Sequence, residues 1–422
     1  MNILWVTNSI FPELSIAMGE KPNVFGGWQF SLAKDLANMG VTLTVVTSRK
    51  TKSDFFHDGG KIKYFLLSSM KGMTEYDASL ESKWKKIIEE YGPDLVHIHG
   101  SEHAQSLPLL KLFPKLNYVL SIQGLISVYE RYFKASIPNK EIRKSLSFRD
   151  IIKKDSIISG QKKFLKRGQL VEKKYFENIF NIIGRTSWDY VHAKSLNDKC
   201  TYHFCNETLR DSFYMPTKWD REKAEDYTIF LSQANYPIKG LHQVLKAIAI
   251  VKKSFPNVKV KFAGSDVLKE RSSGMDAKLK ISGYGIYIKK LIEKLGLSNN
   301  YEYLGVLPEK EMLNAYLKAH VFVCPSSIEN SPNSLGEAQI LGVPSIGSYV
   351  GGSPDMIAHN ESGLLYRFEE YEMLAYHIMD IFNNDEKAKH LSKNSSIEAS
   401  KRHDKKVNSE RLIAIYKTIL NL

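Results

Sequence analysis

Short apolar runs alternate with amphipathic segments along most of the chain. The pattern starts with an apolar run over Asn2–Asn8, a helix-like stretch over Trp28–Met39 and a second apolar run over Thr42–Thr47. Gly40 follows the helical stretch directly, and glycine commonly ends a helix at this position. The order strand, helix, strand predicts a β-α-β unit.

The same alternation continues in two successive series. Further strand-like runs of the first series cover Ile62–Leu67, Asp94–His99, Tyr118–Ile122, Asn181–Gly184 and Tyr202–Cys205. The second series has strand-like runs at Thr228–Ser232, Val258–Ala263, Tyr301–Leu304, Val321–Cys324, Pro344–Ser348 and Gly363–Phe368. Runs that are apolar on both faces and alternate with helices are typical of doubly wound parallel sheets. We therefore expect an α/β protein with two such halves and a cleft between them.

A polar, charged stretch without a clear period separates the two series at 206–226. Such a composition favours an interdomain connection. The predicted bounds are a first domain at 1–205, the connection at 206–226, a second domain at 227–400 and a final helical segment at 401–422.

Composition agrees with a globular protein of more than one domain. The chain has 422 residues, of which 43% are hydrophobic and 25% are charged, and this length suggests two or three domains. No apolar run approaches the ~20 residues that cross a bilayer, and the N-terminus has no basic segment before its apolar run. The three cysteines lack a metal-ligand spacing, so we expect free thiols and a cytoplasmic location.

The formal net charge of +13 points to an anionic partner. Basic residues concentrate at 131–174, where they alternate with apolar ones, and a basic amphipathic helix of this kind rests on anionic membrane surfaces. A solvated helix face is the alternative interpretation. Nucleic acid is not expected, because no recognition motif accompanies the charge.

A loop-helix-strand stretch at Phe322–Asp355 carries two carboxylates, Glu329 and Glu337. Ser334 and Glu337 have the spacing of a capping box, and Gly342 stands where that helix should stop. This gives Glu337 a structural role and leaves Glu329 without one. The backbone N–H groups that begin a helix bind anions well.

A second constellation is the segment Tyr236–Gly240, which contains Lys239 and Gly240. A lysine at the start of a helix opposes the helix dipole. Because the sequence offers no visible compensation, this placement predicts a bound anion. A lysine that extends into water is the alternative.

Polar groups also follow the strands of the first series. Gly26 and Gly27 precede its first helix, where glycines allow close approach to a phosphate. His99 and Gln123 end two strand-like runs, and ligands of open α/β sheets bind beyond the carboxyl ends of strands. For His97 we expect a structural role instead.

Together these motifs resemble the retaining glycosyltransferases of family 4, also called glycosyl transferases group 1. The resemblance rests on PSSIENSPNSLGEAQILGVPSI with its Glu-x7-Glu pair, on the Lys-Gly at 239–240, on FAGS at 262–265 and on DLVHIHG at 94–100. It covers nearly the whole chain. It implies the GT-B architecture, with two Rossmann-like domains facing a central cleft and a final helix crossing back to the first domain. It also implies no catalytic metal ion and no cofactor.

The family implies roles for individual residues. Glu329 would hold hydroxyls of the donor sugar, Glu337 the ribose, and Lys239 the departing diphosphate. Other donor contacts implied by the resemblance are Gly26, Gly27, Gly240 and the backbone of Asn333, Ser334 and Leu335. Gln123 would stand beside the reacting groups, and His99 would contact the acceptor.

Two positions depart from the family pattern. Gln233 and Ala234 stand where the family has an arginine, and Gln123 replaces a common histidine. A neutral amide donates hydrogen bonds but brings no charge, so the diphosphate site has one cation fewer. Arg185, which follows a strand-like run, is the predicted substitute.

The expected activity is transfer of a hexose-type sugar from a nucleotide-diphosphate sugar to a glycan or lipid-linked acceptor. A nucleotide-sugar 2-epimerase is one alternative, and it would turn over donor without an acceptor. A degenerate binding protein that keeps the fold is the other, and the two glutamines motivate it.

Overall fold

The computed structural model describes residues 1–22, 26–72, 74–269 and 279–422. The chain forms two compact units. The first comprises Met1–Val128, Phe164–Asp211 and Arg402–Leu422, and the second comprises Tyr129–Lys163 and Ser212–Lys401. Residues 129–163 lie inside the bounds predicted for the first domain, but they fold with the second unit. We call this segment the insertion.

The first unit is built on one sheet. Its strands are β1 (Asn2–Val6), β2 (Thr42–Arg49), β3 (Phe55–Asp58), β4 (Ile62–Ser68), β5 (Leu95–His99), β6 (Tyr118–Ser121), β7 (Asn181–Gly184) and β8 (Thr201–Phe204). They lie in the order β3-β4-β2-β1-β5-β6-β7-β8. Only the short edge strand β3 is antiparallel to its neighbour among these strands. The strand order reverses between β1 and β5, so the loops after these strands flank a topological switch point.

The second unit has an entirely parallel sheet in the described residues. Its strands are β9 (Glu225–Leu231), β10 (Lys259–Ala263), β11 (Tyr301–Gly305), β12 (Ala319–Cys324), β13 (Ser345–Ser348) and β14 (Leu364–Tyr366). Their order is β11-β10-β9-β12-β13-β14, which places the switch point between β9 and β12. The predicted α/β class with parallel sheets is confirmed in both units.

Helices connect the strands and cover the sheets. In chain order the described α-helices are α1 (Pro12–Ala17), α2 (Gly27–Asn38), α3 (Glu81–Tyr91), α4 (Leu107–Leu112), α5 (Ile126–Tyr129), α6 (Asn139–Lys144), α7 (Phe148–Lys153), α8 (Ile157–Arg167), α9 (Lys173–Asn178), α10 (Ser187–Leu196), α11 (Leu241–Val251), α12 (Gly283–Lys294), α13 (Glu309–Lys318), α14 (Asn333–Ile340), α15 (Tyr371–Asn383), α16 (Asp385–Arg402) and α17 (Lys405–Leu420). Gly40 ends α2 with a left-handed φ of 86°, as its position predicts.

The final helix α17 belongs to the first unit and enters its core. Tyr416 is fully buried there, and its hydroxyl accepts a hydrogen bond from Trp5 Nε1 at 2.9 Å. The same hydroxyl lies 2.6 Å from Nδ1 of His97, whose Nε2 lies 2.6 Å from Ser121 Oγ. These contacts confirm the structural role expected for His97. They also satisfy polar groups that would otherwise be costly to bury.

The insertion is fixed to the second unit by specific hydrogen bonds. Asp150 of α7 accepts a hydrogen bond from the Gly283 N–H at the start of α12, at 2.9 Å. A Cβ atom on Gly283 would lie 2.3 Å from the Asp150 carboxylate, so only glycine permits this approach. His242 Nε2 donates to the Ala135 carbonyl at 2.8 Å. Asp150 therefore caps a helix that follows it by more than a hundred residues in sequence.

None of the helices in the described part of the chain is both long and apolar enough to cross a membrane.

Candidate functional site

Lys239 and Glu329 meet at the switch point of the second unit. Lys239 follows β9 and Glu329 follows β12, and these neighbouring parallel strands end at the same edge of the sheet. Lys239 Nζ lies 2.5 Å from Glu329 Oε1, which also accepts a hydrogen bond from Ser326 Oγ at 2.7 Å. Both side chains are largely buried, with 17% and 10% of their surface exposed. The two predicted catalytic residues of this unit therefore form one ion pair.

Gly240 makes this pairing possible. It has a left-handed φ of 69°, and a Cβ atom there would lie 1.7 Å from the Pro325 carbonyl oxygen. No side chain fits in that gap, so the loop after β9 contacts the loop after β12 only because the residue is glycine. The Ser327 N–H donates to the Ile238 carbonyl at 2.8 Å and joins the same two loops.

The pair determines the charge state of Lys239. Burial opposes a charged lysine, but the Glu329 carboxylate outweighs it and raises the Lys239 pKa above its ordinary value. Lys239 thus has its compensation inside the protein. The local sequence does not reveal this compensating charge, because the partner lies 90 positions away. Glu329 likewise has a structural contact that its local sequence does not reveal.

The predicted capping box at Ser334 and Glu337 is wrong. Helix α14 begins at Asn333 with Pro332 as its N-cap, and it has no side-chain cap. Ser334 is therefore already inside the helix, and Glu337 lies one turn further along. The Tyr316 hydroxyl donates to Glu337 Oε2 at 3.3 Å. The predicted stop is confirmed, because Gly342 and Val343 donate to the carbonyls of Gln339 and Ala338 in a Schellman motif.

The first turn of α14 borders the ion pair. Ser334 and Gln233 line a small cavity together with Lys239 and Glu329, and its volume is about 10 Å³. That space holds one water molecule at most. Among the described residues, Asn333 Oδ1 is buried without a hydrogen-bond partner. Leu335 is completely buried, and its backbone N–H already donates to the Pro332 carbonyl at 2.9 Å. A lysine beside a helix N-terminus can stabilise phosphate.

The predicted glycine pair lies at the corresponding edge of the first unit. Gly26 has a φ of 74°, and a Cβ atom there would lie 2.8 Å from Ser9 Oγ. A Cβ atom on Gly27 would lie 3.1 Å from the aliphatic part of Arg210. The glycines thus allow Ser9 and Arg210 to approach the start of α2. The sequence does not single out Arg210, because this residue lies in the polar stretch at 206–226 that was predicted to connect the domains.

His99, the predicted acceptor contact, is buried, and neither of its ring nitrogens has a hydrogen-bond partner among the described residues. It is only 2% exposed and stacks on His97 at 3.9 Å between ring centroids, and Trp5 also packs against it. Burial and the nearby Arg185 lower its pKa to about 3, so the ring is neutral. As the last residue of β5, it points into the packed layer beside the sheet. Its position at a strand end did not reveal this orientation.

Arg185 is already paired inside the first unit. Its guanidinium forms a buried ion pair with Glu207 and donates to the Ile122 carbonyl at 2.5 Å. These contacts give it a structural role that its sequence position does not show. Gln123 is half-buried, and within the described part of the chain its Nε2 is a buried donor without a hydrogen-bond partner. An unsatisfied donor of this kind is costly unless a ligand or water accepts from it.

Glu102 is a candidate that sequence reasoning missed. It follows β5 at the switch point of the first unit, and its Oε2 lies 3.4 Å from the Asn8 amide nitrogen in the loop after β1. Burial and the nearby Glu172 carboxylate raise the Glu102 pKa to about 7, although Arg167 opposes this shift. The sequence feature that could have identified Glu102 is its position just after β5, the strand that contains His97 and His99. A carboxyl group that titrates near neutrality suits proton exchange with a hydroxyl.

The raised Glu102 pKa predicts a specific pH dependence of stability. Below about pH 4.5 the carboxyl is protonated in both states, whereas between pH 4.5 and 7 the unfolded chain releases its proton more readily. Wild-type stability should therefore fall over this range. The Glu102→Gln variant lacks this carboxyl and therefore does not lose stability in this way. Relative to wild type, its unfolding free energy should rise by about 2–3 kcal/mol from pH 5 to pH 8. Chemical denaturation of wild type and variant at pH 5 and at pH 8 measures this difference in unfolding free energy. A pH-independent difference, or the same change in the exposed control Glu75→Gln, would contradict the assignment.

Comparison with known proteins finds a family profile that matches most of the second unit. The profile described as glycosyl transferases group 1 matches residues 216–397. Spore coat protein SA of Bacillus subtilis is 26% identical over 183 residues, which are 42% of this chain and 45% of that protein. The chain thus spans about half the length of this curated relative. N-acetyl-alpha-D-glucosaminyl L-malate synthase of Bacillus anthracis is 22% identical over 92% of this chain and 91% of its own length.

Solved structures resemble the whole chain. Sucrose-phosphate synthase from Thermosynechococcus elongatus has a TM-score of 0.70 at 16% identity, covering 100% of this chain and 99% of that one. HepE from Anabaena, solved in complex with UDP-glucose, has a TM-score of 0.63 at 15% identity and covers both chains completely. At these identities the likeness concerns the fold. Residues 216–397 therefore match the glycosyl transferases group 1 profile, and the chain has the two-domain α/β fold seen in solved GT-B structures such as sucrose-phosphate synthase.

Proposed function

We propose that the protein is a retaining, metal-independent glycosyltransferase. It moves a hexose-type sugar from a nucleotide-diphosphate sugar to a glycan or lipid-linked acceptor, in the synthesis of a cell-surface polysaccharide or glycoconjugate. The observation that carries the proposal is the buried Lys239–Glu329 pair beside the first turn of α14. The glycosyl transferases group 1 match and the UDP-glucose complex of HepE support the class of donor.

The proposed mechanism begins with an exchange of partners. The cavity around the pair is too small for a ligand while Lys239 contacts Glu329. An incoming diphosphate takes over the Lys239 charge, and the released Glu329 carboxylate accepts hydrogen bonds from hydroxyls of the donor sugar. Glu337 holds the ribose, and the backbone N–H groups of Asn333 and Ser334 donate toward the phosphates. Exchanging one anion for another keeps the buried lysine compensated throughout.

Bond cleavage then places negative charge on the diphosphate. The bond between the anomeric carbon and the β-phosphate oxygen breaks, and the acceptor oxygen attacks the same face of the sugar. The acceptor proton passes to the departing phosphate, so configuration is retained without a carboxylate nucleophile. Lys239 and the helix N–H groups stabilise the developing charge because they are already in position. Gln123 hydrogen-bonds a sugar hydroxyl, and Gly26 and Gly27 bring the start of α2 close to the donor.

Removing the Lys239 charge should slow sugar transfer. A donor is first chosen from UDP-, GDP- and ADP-sugars by thermal stabilisation, because ligands that bind the folded state raise the melting temperature. With that donor, we expect Lys239→Ala to lower kcat about 10²- to 10³-fold in an assay of nucleotide-diphosphate release. Glu329→Ala should lower kcat/KM by a similar factor.

The chain offers a matched control for these variants. Lys261 pairs with Glu225 at 2.5 Å and is 20% exposed, so Lys261→Ala removes a comparable ion pair from the same unit. It should leave kcat nearly unchanged. Lys239→Ala activity equal to that of Lys261→Ala would refute the assigned mechanism.

The product should keep the anomeric configuration of the donor, and turnover should not require a divalent ion. Proton NMR of the freshly formed product reports the configuration through its anomeric coupling. The same assay in excess EDTA reports the metal requirement. An inverted product would contradict attack on the leaving-group face, and loss of turnover that Mg²⁺ or Mn²⁺ restores would contradict metal independence.

We further propose that the insertion rests on an anionic membrane surface. Leu146, Phe148, Ile151 and Ile152 are 49%, 58%, 61% and 64% exposed, and we call them the insertion patch. Basic residues flank the patch on both sides in sequence: Arg143, Lys144, Lys153 and Lys154. Exposed apolar side chains with basic residues before and after them in the sequence match the boundary between acyl chains and anionic headgroups. The other basic residues at 164–174 belong to the first unit.

Vesicle binding tests the membrane proposal. Affinity in a sedimentation assay should rise with the fraction of anionic lipid and fall with salt, because screening weakens each basic contact. The triple variant Phe148→Ser, Ile151→Ser, Ile152→Ser should bind at least tenfold more weakly, since it removes most of the exposed apolar surface. Ile397→Ser, at a site on α16 that is 47% exposed, is the control. Affinity that is independent of anionic lipid, or equal loss in the control, would exclude the insertion patch.

A further inference from the structure

A second, larger cavity lies within the second unit. Its volume is about 280 Å³, and it is formed by the insertion together with the loops after β9 and β10. It shares no lining residue with the small cavity around Lys239 and Glu329. Ligands of α/β sheets bind beyond the carboxyl ends of the strands, and both loops leave strands at that edge. Its volume is at the lower end of ligand pockets, which suits one small molecule.

The walls of this cavity are held in place by contacts that glycines permit. A Cβ atom on Gly160 of α8 would lie 2.5 Å from the Phe133 ring, so the glycine lets these two parts of the insertion close together. On the opposite side, Asp150 fixes the start of α12 through Gly283. His242 bridges the two sides, because Nε2 donates to the Ala135 carbonyl and Nδ1 lies 3.2 Å from the Tyr284 hydroxyl. The cavity is therefore preformed.

The lining combines an apolar floor with charged groups. Phe133, Ile157, Val267 and Tyr284 are buried at 8%, 7%, 4% and 3% exposure. Three basic side chains, Arg149, Lys269 and Lys280, face two acidic ones, Asp155 and Asp266. The lining residues that the structure describes thus carry one excess positive charge. An apolar floor receives the carbon face of a ring, and the excess charge selects an anion.

The acidic and basic groups also suit hydroxyls. Arg149 Nη2 lies 2.7 Å from Asp155 Oδ2, so a donor and an acceptor stand side by side within the lining. Hydroxyls of Ser156, Ser265 and Ser282 line the same cavity. A polyhydroxylated molecule can both donate to Asp155 and accept from Arg149, whereas a purely apolar ligand would leave these groups unsatisfied.

We propose that this cavity binds a phosphorylated monosaccharide. The sugar ring packs over the apolar floor, its hydroxyls contact Arg149, Asp155 and the serines, and its phosphate lies at Lys269 and Lys280. The same chemistry is present in a free sugar phosphate and in a sugar joined to a lipid through phosphate. The proposal goes beyond the transferase reaction, because the site binds its ligand without a nucleotide sugar.

Titration calorimetry of the full chain, without donor, tests this proposal. We expect glucose 6-phosphate to bind at least tenfold more tightly than glucose or inorganic phosphate. Lys269→Gln should weaken the binding of glucose 6-phosphate about tenfold, because one charge-assisted contact is lost. Lys259→Gln is the matched control, because it removes an exposed lysine at the start of β10, away from the cavity. Ser156→Trp, which fills the cavity, should abolish binding while the melting temperature confirms folding.

A second arm identifies the source of the ligand. Octyl glucosyl phosphate is a phosphodiester that mimics a lipid-linked sugar, whereas glucose 6-phosphate is a monoester. Tighter binding of the diester, lost in Lys269→Gln, supports a lipid-linked ligand, and tighter binding of the monoester supports a free one. Lys239→Ala should bind either probe like wild type, which separates this site from the proposed transfer reaction. The proposal is overturned if no probe binds, if glucose binds as tightly as its phosphate, or if Lys259→Gln loses as much affinity as Lys269→Gln.

Discussion

The second unit depends on the close approach of two loops at its switch point. Gly240 lets the loop after β9 contact the carbonyl of Pro325, and this contact brings Lys239 to Glu329. A buried ion pair contributes little net stability, because desolvation offsets much of the attraction. Breaking such a pair is costly, however, so an entering ligand must replace the contact it removes. In the proposed reaction, a diphosphate with sugar hydroxyls supplies both replacements.

The first unit is organised around a buried polar network instead. Tyr416 arrives from the far end of the chain and connects Trp5 of the first strand with His97 of β5. Each buried polar group in this chain of contacts has a partner, so the network specifies where α17 docks. His99 stacks on His97 in the same packed layer, whereas Asn8 and Glu102 lie in the loops at the switch point. The packing of one helix thus decides which polar residues remain near the sheet edge.

The insertion joins two features of the second unit. Asp150 accepts a hydrogen bond from the start of α12, and together with the His242–Ala135 contact this anchors the segment that carries the exposed apolar residues of α7 and lines the larger cavity. The proposed membrane surface and the proposed sugar-phosphate cavity therefore share the same anchored segment. Both proposals involve negatively charged ligands, in agreement with the net charge of +13.

The sequence by itself determined the α/β class, most strand positions, the helix stops at Gly40 and Gly342, and the residues Lys239 and Glu329. These follow from local periodicity and from short motifs, which need no knowledge of distant partners. Only the tertiary structure decided that Lys239 pairs with Glu329, that His99 and Arg185 are buried in other contacts, and that Ser334 does not cap α14. It also decided that the insertion folds with the second unit. Each of these outcomes depends on which segments meet in space, and a partner 90 or 133 positions away leaves no mark on the local pattern.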